Sequence, residues 1–167
     1  ATPDRELSQI EAIRAVALTN DYIAREHDEM NMFATLFFGV LDTSNGRLVY
    51  VNGGHEPVFL IDDKGLKKQL RPTGPAVGIF PQIKFGYRQI DLEPGDLIFG
   101  YTDGVIDARS TGGKRFGKQR LIEMLSKPVS GAFEVMERVG TELFSHIGMA
   151  PQEDDITMIS IQRKKGR

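Results

Sequence analysis

Glu93-Pro94-Gly95-Asp96-Leu97-Ile98-Phe99-Gly100-Tyr101-Thr102-Asp103-Gly104-Val105 is the stretch around which the chain is organised. Pro94-Gly95 is a turn signal. Leu97 to Tyr101 is a short, nearly continuous apolar run, which predicts a buried strand. Thr102-Asp103-Gly104 then sets a carboxylate at the strand exit, beside a glycine that lets another group come close. A carboxylate in that place sits on a rigid support and suits a metal ion. Glu153-Asp154-Asp155-Ile156-Thr157 is the counterpart, with acids before an apolar strand instead of after one. If the two strands are antiparallel neighbours, Asp103 and Asp154 converge.

Composition limits what surrounds this stretch. The 167 residues are enough for one domain with an ordinary core, expected to span 1–167. A net charge of -2 creates no field that would draw nucleic acid or an anionic membrane. With no cysteine there is no disulfide, thiolate zinc site or cysteine nucleophile. A reducing compartment is permitted, and the expected location is cytoplasmic. No apolar run reaches the length of a membrane span.

Before the central stretch, residues 4–27 read as a helix with Leu7, Ile10, Ile13 and Ala17 on one stripe. His27 reads as a solvated residue at its end. Residues 32–41 are apolar and Phe-rich, which predicts a strand. Asn45-Gly46 predicts a hairpin into residues 47–52, apolar on both faces and hence central. Asn52-Gly53-Gly54-His55-Glu56-Pro57 interrupts, then residues 58–61 and 66–70 form a second hairpin around Asp62-Asp63-Lys64-Gly65. A proline- and glycine-rich loop over residues 72–81 leads to an alternating strand over 85–92.

After Asp103 the residues to Gly117 read as a polar, glycine-bearing loop. Residues 118–126 read as a helix stopped by Lys127-Pro128. Ser130 is the expected N-cap of a helix to Ile147, with Phe133, Met136, Leu143, Phe144 and Ile147 on its apolar stripe. Residues 155–163 close the chain as a strand, and the basic tail at 163–167 reads as a solvated terminus. About seven strands joined mainly by hairpins, with no alternating βαβ pattern, predict an antiparallel α+β domain.

Two carboxylates from different strand ends, without cysteine, suit hard cations such as magnesium or manganese. The competing reading of Asp103 is a turn-forming Asp-Gly. Spacing alone does not choose between Asp154 and Asp155. His55 reads first as a loop-shaping hydrogen-bond donor, with general acid or ligand as alternatives. Ser110, Thr111 and Ser130 lack a histidine at telling spacing, which disfavours a serine hydrolase triad. Gly53-Gly54 and Gly112-Gly113 lack the following Lys-Ser/Thr of a phosphate loop.

Seven motifs occur in a telling order: Met32-Phe33-Ala34-Thr35-Leu36, the run from Gly46 to Pro57, Gly74-Pro75-Ala76-Val77-Gly78, Pro94-Gly95-Asp96, Tyr101-Thr102-Asp103-Gly104-Val105, Phe116-Gly117 and Asp154-Asp155-Ile156-Thr157. Together they resemble the bacterial metal-dependent protein phosphatases of the sporulation-protein-E kind (SpoIIE/RsbU-like), within the protein phosphatase 2C superfamily (PP2C, or PPM). The resemblance implies an antiparallel β-sandwich flanked by helices, in four αββα layers. It implies Mn2+ or Mg2+, two per intact site, and hydrolysis of phosphoserine or phosphothreonine in a protein by a metal-activated water. Asp103 and Asp154 match the family's metal-binding aspartates. Thr102, Gly104, Asp155 and His55 are the expected supporting residues, with the role of His55 open.

The family's earlier Gly-Asp-Val segment, whose Asp bridges both metals, has no match here. The expectation is therefore a C-terminal portion of the domain, with little or no activity alone. The resemblance further implies an anti-sigma-factor antagonist as the phosphoprotein and an upstream sensor or receiver domain, with no nucleic-acid partner. The alternative is a non-catalytic module that keeps the fold and binds a regulatory partner.

Overall fold

The structure, a computed structural model, describes residues 3–26 and 32–165. His27 and the last two residues of the basic tail lie outside the described residues. The element order is α1 (Pro3–Glu26), β1 (Leu36–Asp42), β2 (Arg47–Gly53), β3 (Val58–Asp62), β4 (Gly65–Leu70), β5 (Arg88–Asp91), β6 (Leu97–Tyr101), α2 (Asp103–Asp107), α3 (Lys118–Leu125), α4 (Ala132–Ile147) and β7 (Met158–Gln162). The chain divides into two compact units, each assembled from two stretches. One is Ala1–Pro57 with Arg71–Leu92, and the other is Val58–Leu70 with Glu93–Arg167. Every strand pairing is antiparallel, so the α+β class expected from the sequence holds.

The first unit holds a three-stranded sheet in the order β1-β2-β5. The central place of β2 follows from its composition, since both faces are apolar and six of its seven residues are buried. Helix α1 lies on this sheet through Ile13 and Val16, which join Val49, Val51 and Val77 in one core. The buried stripe of α1 is Ile13, Val16, Asn20 and Ala24, rotated from the expected one. Asn20 is on it because its amide is fully spent. Its Nδ2 donates to the Phe80 carbonyl at 2.9 Å, and its Oδ1 accepts from the Gly78 N–H at 2.9 Å. A buried amide costs little once both ends are paired.

The expected strands at 32–41 and 85–92 are shorter than their apolar runs. Ala34 exchanges two backbone hydrogen bonds with Val77, at 2.9 and 2.7 Å, so this part pairs with the loop and the strand begins at Leu36. Phe85 packs as a loop residue against the same core and under Gly74, where a Cβ would lie 2.7 Å from its ring.

The second unit holds a four-stranded sheet in the order β4-β3-β6-β7. Strand β6 is flanked on both sides, as its apolar run requires. Phe59, Phe99 and Tyr101 stack, and Leu121, Leu125, Val135, Val139 and Leu143 of α3 and α4 close the core over them. The Pro94-Gly95 turn precedes β6, with Gly95 at φ +103°. Asp96 is buried there, accepting from the Glu93 N–H at 3.0 Å and from Lys67 Nζ at 3.0 and 3.1 Å. Hydrogen bonding to Glu93, with support from Asp96, raises the Lys67 pKa above its ordinary value.

Several expectations are corrected. Residues 103–107 are helix α2, not loop, because the chain coils directly out of β6 at Asp103. Ser130 does not cap α4: Gly131 holds that place. Instead the Glu134 carboxylate reaches back to the Ser130 N–H at 2.8 Å and its hydroxyl at 2.7 Å. Phe133 and Phe144 are exposed, and the buried stripe is Val135, Val139, Leu143 and Ile147. Among the described residues only β1-β2 and β3-β4 are hairpins, since β5 returns to β2 while β6 joins β3.

Candidate functional site

Strands β6 and β7 pair antiparallel with Tyr101 opposite Met158. This register brings the exit of one beside the entry of the other, as the acidic residues predicted. Thr102 extends the pairing by one step, its N–H donating to the Thr157 carbonyl at 3.0 Å. Its hydroxyl does two further jobs. Oγ1 donates to the Asp155 carbonyl at 2.9 Å and accepts from the Thr157 N–H at 3.0 Å. A threonine thereby fixes the irregular segment that carries the acids onto the end of β6.

Gly104 completes the docking. A Cβ at this position would lie 2.4 Å from the Asp155 carbonyl oxygen and 3.6 Å from the Asp154 carbonyl carbon. No side chain fits, so the glycine is required by close approach and not by its dihedrals. Asp103 and Asp154 therefore sit on two segments in direct contact. Both side chains are exposed.

The two carboxylates share a local geometry. Asp103 Oδ1 accepts from the next backbone N–H, of Gly104, at 3.1 Å. Asp154 Oδ1 likewise accepts from the Asp155 N–H at 2.7 Å. Each thus has one oxygen held by its own turn and one with no partner among the described residues. The Gln152 amide, donating to the Asp154 carbonyl at 2.9 Å, steadies the same segment. Asp155 contributes its backbone to these contacts, and its side chain has no hydrogen bond among the described residues. Two hard oxygen donors on anchored backbone suit Mg2+ or Mn2+, which complete their shells with water. No group of three or more His, Cys, Asp or Glu is placed to hold a metal among the described residues.

Beside Asp154 opens a cavity of about 240 Å³, lined also by Gly104, Asp107, Arg109, Arg115 and Glu153. Of these, Asp107, Arg109 and Arg115 were not singled out from the sequence, whereas Glu153 opens the acidic stretch that was. Asp107 stands four residues after Asp103 on α2, a spacing that puts both on one helix face. The arginines had no such signal, because a loop brings them there.

His55 belongs to the other unit. It follows β2, where Asn52 is fully buried and accepts from the His55 N–H at 2.9 Å. The Asn52 backbone is held in turn by Thr73, whose N–H donates to its carbonyl at 2.8 Å. Gly54 stands at φ +66°, with a would-be Cβ 2.6 Å from the Ala76 nitrogen. His55 Nδ1 lies 3.3 Å from the Thr35 hydroxyl. The loop-shaping reading of this motif thus has a concrete basis, with Asn52 as its organiser.

Comparison with known proteins fits this geometry. The family profile described as Stage II sporulation protein E (SpoIIE) matches residues 5–164. Protein IcfG of Synechocystis is 51% identical over 154 residues, covering 92% of this chain and 24% of that protein. The phosphoserine phosphatase RsbU of Bacillus subtilis is 29% identical over 147 residues, covering 85% of this chain and 42% of its own length. The chain thus spans less than half the length of either relative. Among solved structures, the SiaA-PP2C domain of Pseudomonas aeruginosa superposes with a TM-score of 0.74 at 19% identity, over 93% of this chain and 64% of that one. The manganese-presoaked phosphatase domain of SpoIIE from Bacillus subtilis superposes with a TM-score of 0.65 at 15% identity, over 95% and 74%. The fold is that of the PP2C phosphatases. No helix among the described residues is long and apolar enough to cross a membrane.

Proposed function

Because this chain belongs to the Stage II sporulation protein E (SpoIIE) family, we propose that it is the phosphatase domain of a regulatory protein. The reaction is metal-dependent hydrolysis of phosphoserine or phosphothreonine in a partner protein. The name of RsbU, a phosphoserine phosphatase, and the manganese presoak of the SpoIIE domain support this reading. The SpoIIE profile runs through both compact units, which supports reading 1–167 as one domain.

The observation that carries the proposal is the docking of Thr102–Gly104 on the 154–157 segment, which supports reading Asp103 and Asp154 as one pair. In this reading Asp103 and Asp154 hold the cation, each with the oxygen its own turn leaves over. Thr102 and Gly104 position the segments. Asp155 supports through its backbone, and His55 shapes its own loop. Bound Mn2+ or Mg2+ would supply an acidified water and offset the charge that develops on the phosphoryl group. The chain's part is to hold the two carboxylates apart from competing hydrogen bonds and in fixed register. The same reading takes an anti-sigma-factor antagonist as substrate, a sensor or receiver domain upstream and a cytoplasmic location.

The test is release of phosphate from a phosphoserine peptide by the full-length protein, with manganese titrated in. Manganese-dependent release that is lost in Asp103→Asn and Asp154→Asn is the expected result. Peptide binding without turnover at any metal concentration would instead establish the non-catalytic, partner-binding module.

A further inference from the structure

The cavity beside Asp154 has contents the phosphatase reading does not use. Arg109 and Arg115 face each other across an antiparallel bridge, and both line the cavity. Backbone hydrogen bonds from Phe116 to Ala108 at 2.8 Å and from Ser110 to Lys114 at 3.0 Å fix that strap. Arg109 Nε donates to Glu153 at 3.2 Å and its Nη1 to the Gly113 carbonyl at 3.0 Å. Arg115 Nη1 donates to Asp107 at 2.8 Å. A guanidinium carries five N–H donors in a rigid fork. Among the described residues, Nη2 of both arginines has no partner, and neither does Arg115 Nε. Arg115 keeps its adjacent Nε and Nη2 donors whole, and Arg109 keeps Nη2.

We propose that this cavity is a specificity subsite that takes an acidic side chain next to the phosphoserine of the substrate, with Arg109 and Arg115 as its recognising groups. The inference rests on the phosphatase reading above. Planar forks with spare donors match a carboxylate in two parallel hydrogen bonds. Each arginine is paired with one carboxylate, and Asp154 adds a third acid to the lining, which the cation of the phosphatase reading would neutralise, so recognition works through short-range bonds. That suits a singly charged carboxyl. A phosphoryl group, at about -1.5 to -2, would call for unbalanced positive charge. The volume of about 240 Å³ holds a side chain, since a water takes only about 30 Å³ of liquid.

The experiment uses the full-length protein with Mn2+ and two labelled phosphoserine peptides, identical except for Glu or Gln beside the phosphoserine. Fluorescence anisotropy should show the Glu peptide bound at least about fivefold more tightly. Arg109→Gln and Arg115→Gln should bring that ratio towards one, and Arg115→Lys should retain part of it. The ratio is immune to a partly unfolded sample, because both peptides meet the same folded protein. Equal affinities in the unaltered protein overturn the proposal. So does a loss in the variants that is equal for both peptides, which would mean the arginines hold the phosphoryl group. Hydrolysis of p-nitrophenyl phosphate, which has no flanking residue, reads the catalytic function separately. Its absence beside an intact Glu preference would sink the phosphatase reading and leave the subsite standing.

Discussion

β2 and β6 each run as a buried strand into a polar, glycine-bearing turn: Asn52-Gly53-Gly54-His55 in one case, Thr102-Asp103-Gly104 in the other. In the first, the polar group is an amide that is wholly buried and hydrogen-bonded to its own loop. In the second it is an exposed carboxylate with one oxygen left over. The glycines differ as well. Gly54 is held at a positive φ and against Ala76, whereas Gly104 sits in a helix and is needed for contact with Asp155. A buried, satisfied group shapes a loop. An exposed, anchored acceptor remains available to a ligand. That contrast separates a turn whose polar group is used up internally from one whose polar group is left accessible, without reference to residue type.

The comparison breaks most sharply at the carboxylates. Asp103→Asn and Asp154→Asn should each lower manganese-dependent phosphate release by more than about 100-fold, beyond the usual cost of losing a residue that only supports a ligand. Neither should lower the urea midpoint, since both side chains are exposed. A similar loss of release in Asn52→Ala, in protein shown to be folded, would erase the distinction.

The glycines come next. Gly104→Ala and Gly54→Ala should each destabilise by about 1–3 kcal/mol in urea titrations, through forced backbone shifts. Only Gly104→Ala should also weaken manganese binding measured by calorimetry, because only its neighbour is the segment bearing Asp154. Asn52→Ala should cost about 1–2 kcal/mol by stranding the part-buried His55 N–H. Thr102→Val should cost about 1 kcal/mol for its lost bonds to Asp155 and Thr157, with Thr102→Ser close to the unaltered protein.

The smallest effect lies on α4 and serves as a control. Hydrogen bonds from Ser130, then Arg138, lower the Glu134 pKa from 4.5 to about 2. A lowered carboxylate contributes stability above its unfolded pKa, and that stability disappears as pH falls through the folded value. The melting difference between the unaltered protein and Glu134→Gln should therefore be level above about pH 4.5 and shrink to nothing towards pH 2. The same difference at pH 2 as at pH 7 would rule out this source.

Much of this was legible beforehand. Leu97–Tyr101 reads as a buried strand and is one, because an apolar run that short has few other uses. The Asn45-Gly46 and Asp62–Gly65 turns announce the two hairpins, since turn chemistry is local. The meeting of the two segments that bear Asp103 and Asp154 followed from acids placed after one strand and before another. What failed depended on partners distant in the chain. Asn20 has no place in the expected stripe of α1, because the loop at 78–80 that occupies its amide is distant in the chain. Phe133 and Phe144 look like core until Val135 and Val139 take the buried face of α4.

The sequence by itself therefore determined the class of fold, the buried strands and the two acidic strand ends, because periodicity, turn propensity and charge act over a few residues. Tertiary structure alone decided the sheet order, in which β5 returns to β2 while β6 joins β3. It alone put a glycine against the Asp155 carbonyl and two arginines beside Asp154. Those contacts are set by the packing of segments about fifty residues apart, and no local pattern encodes which distant backbone will arrive.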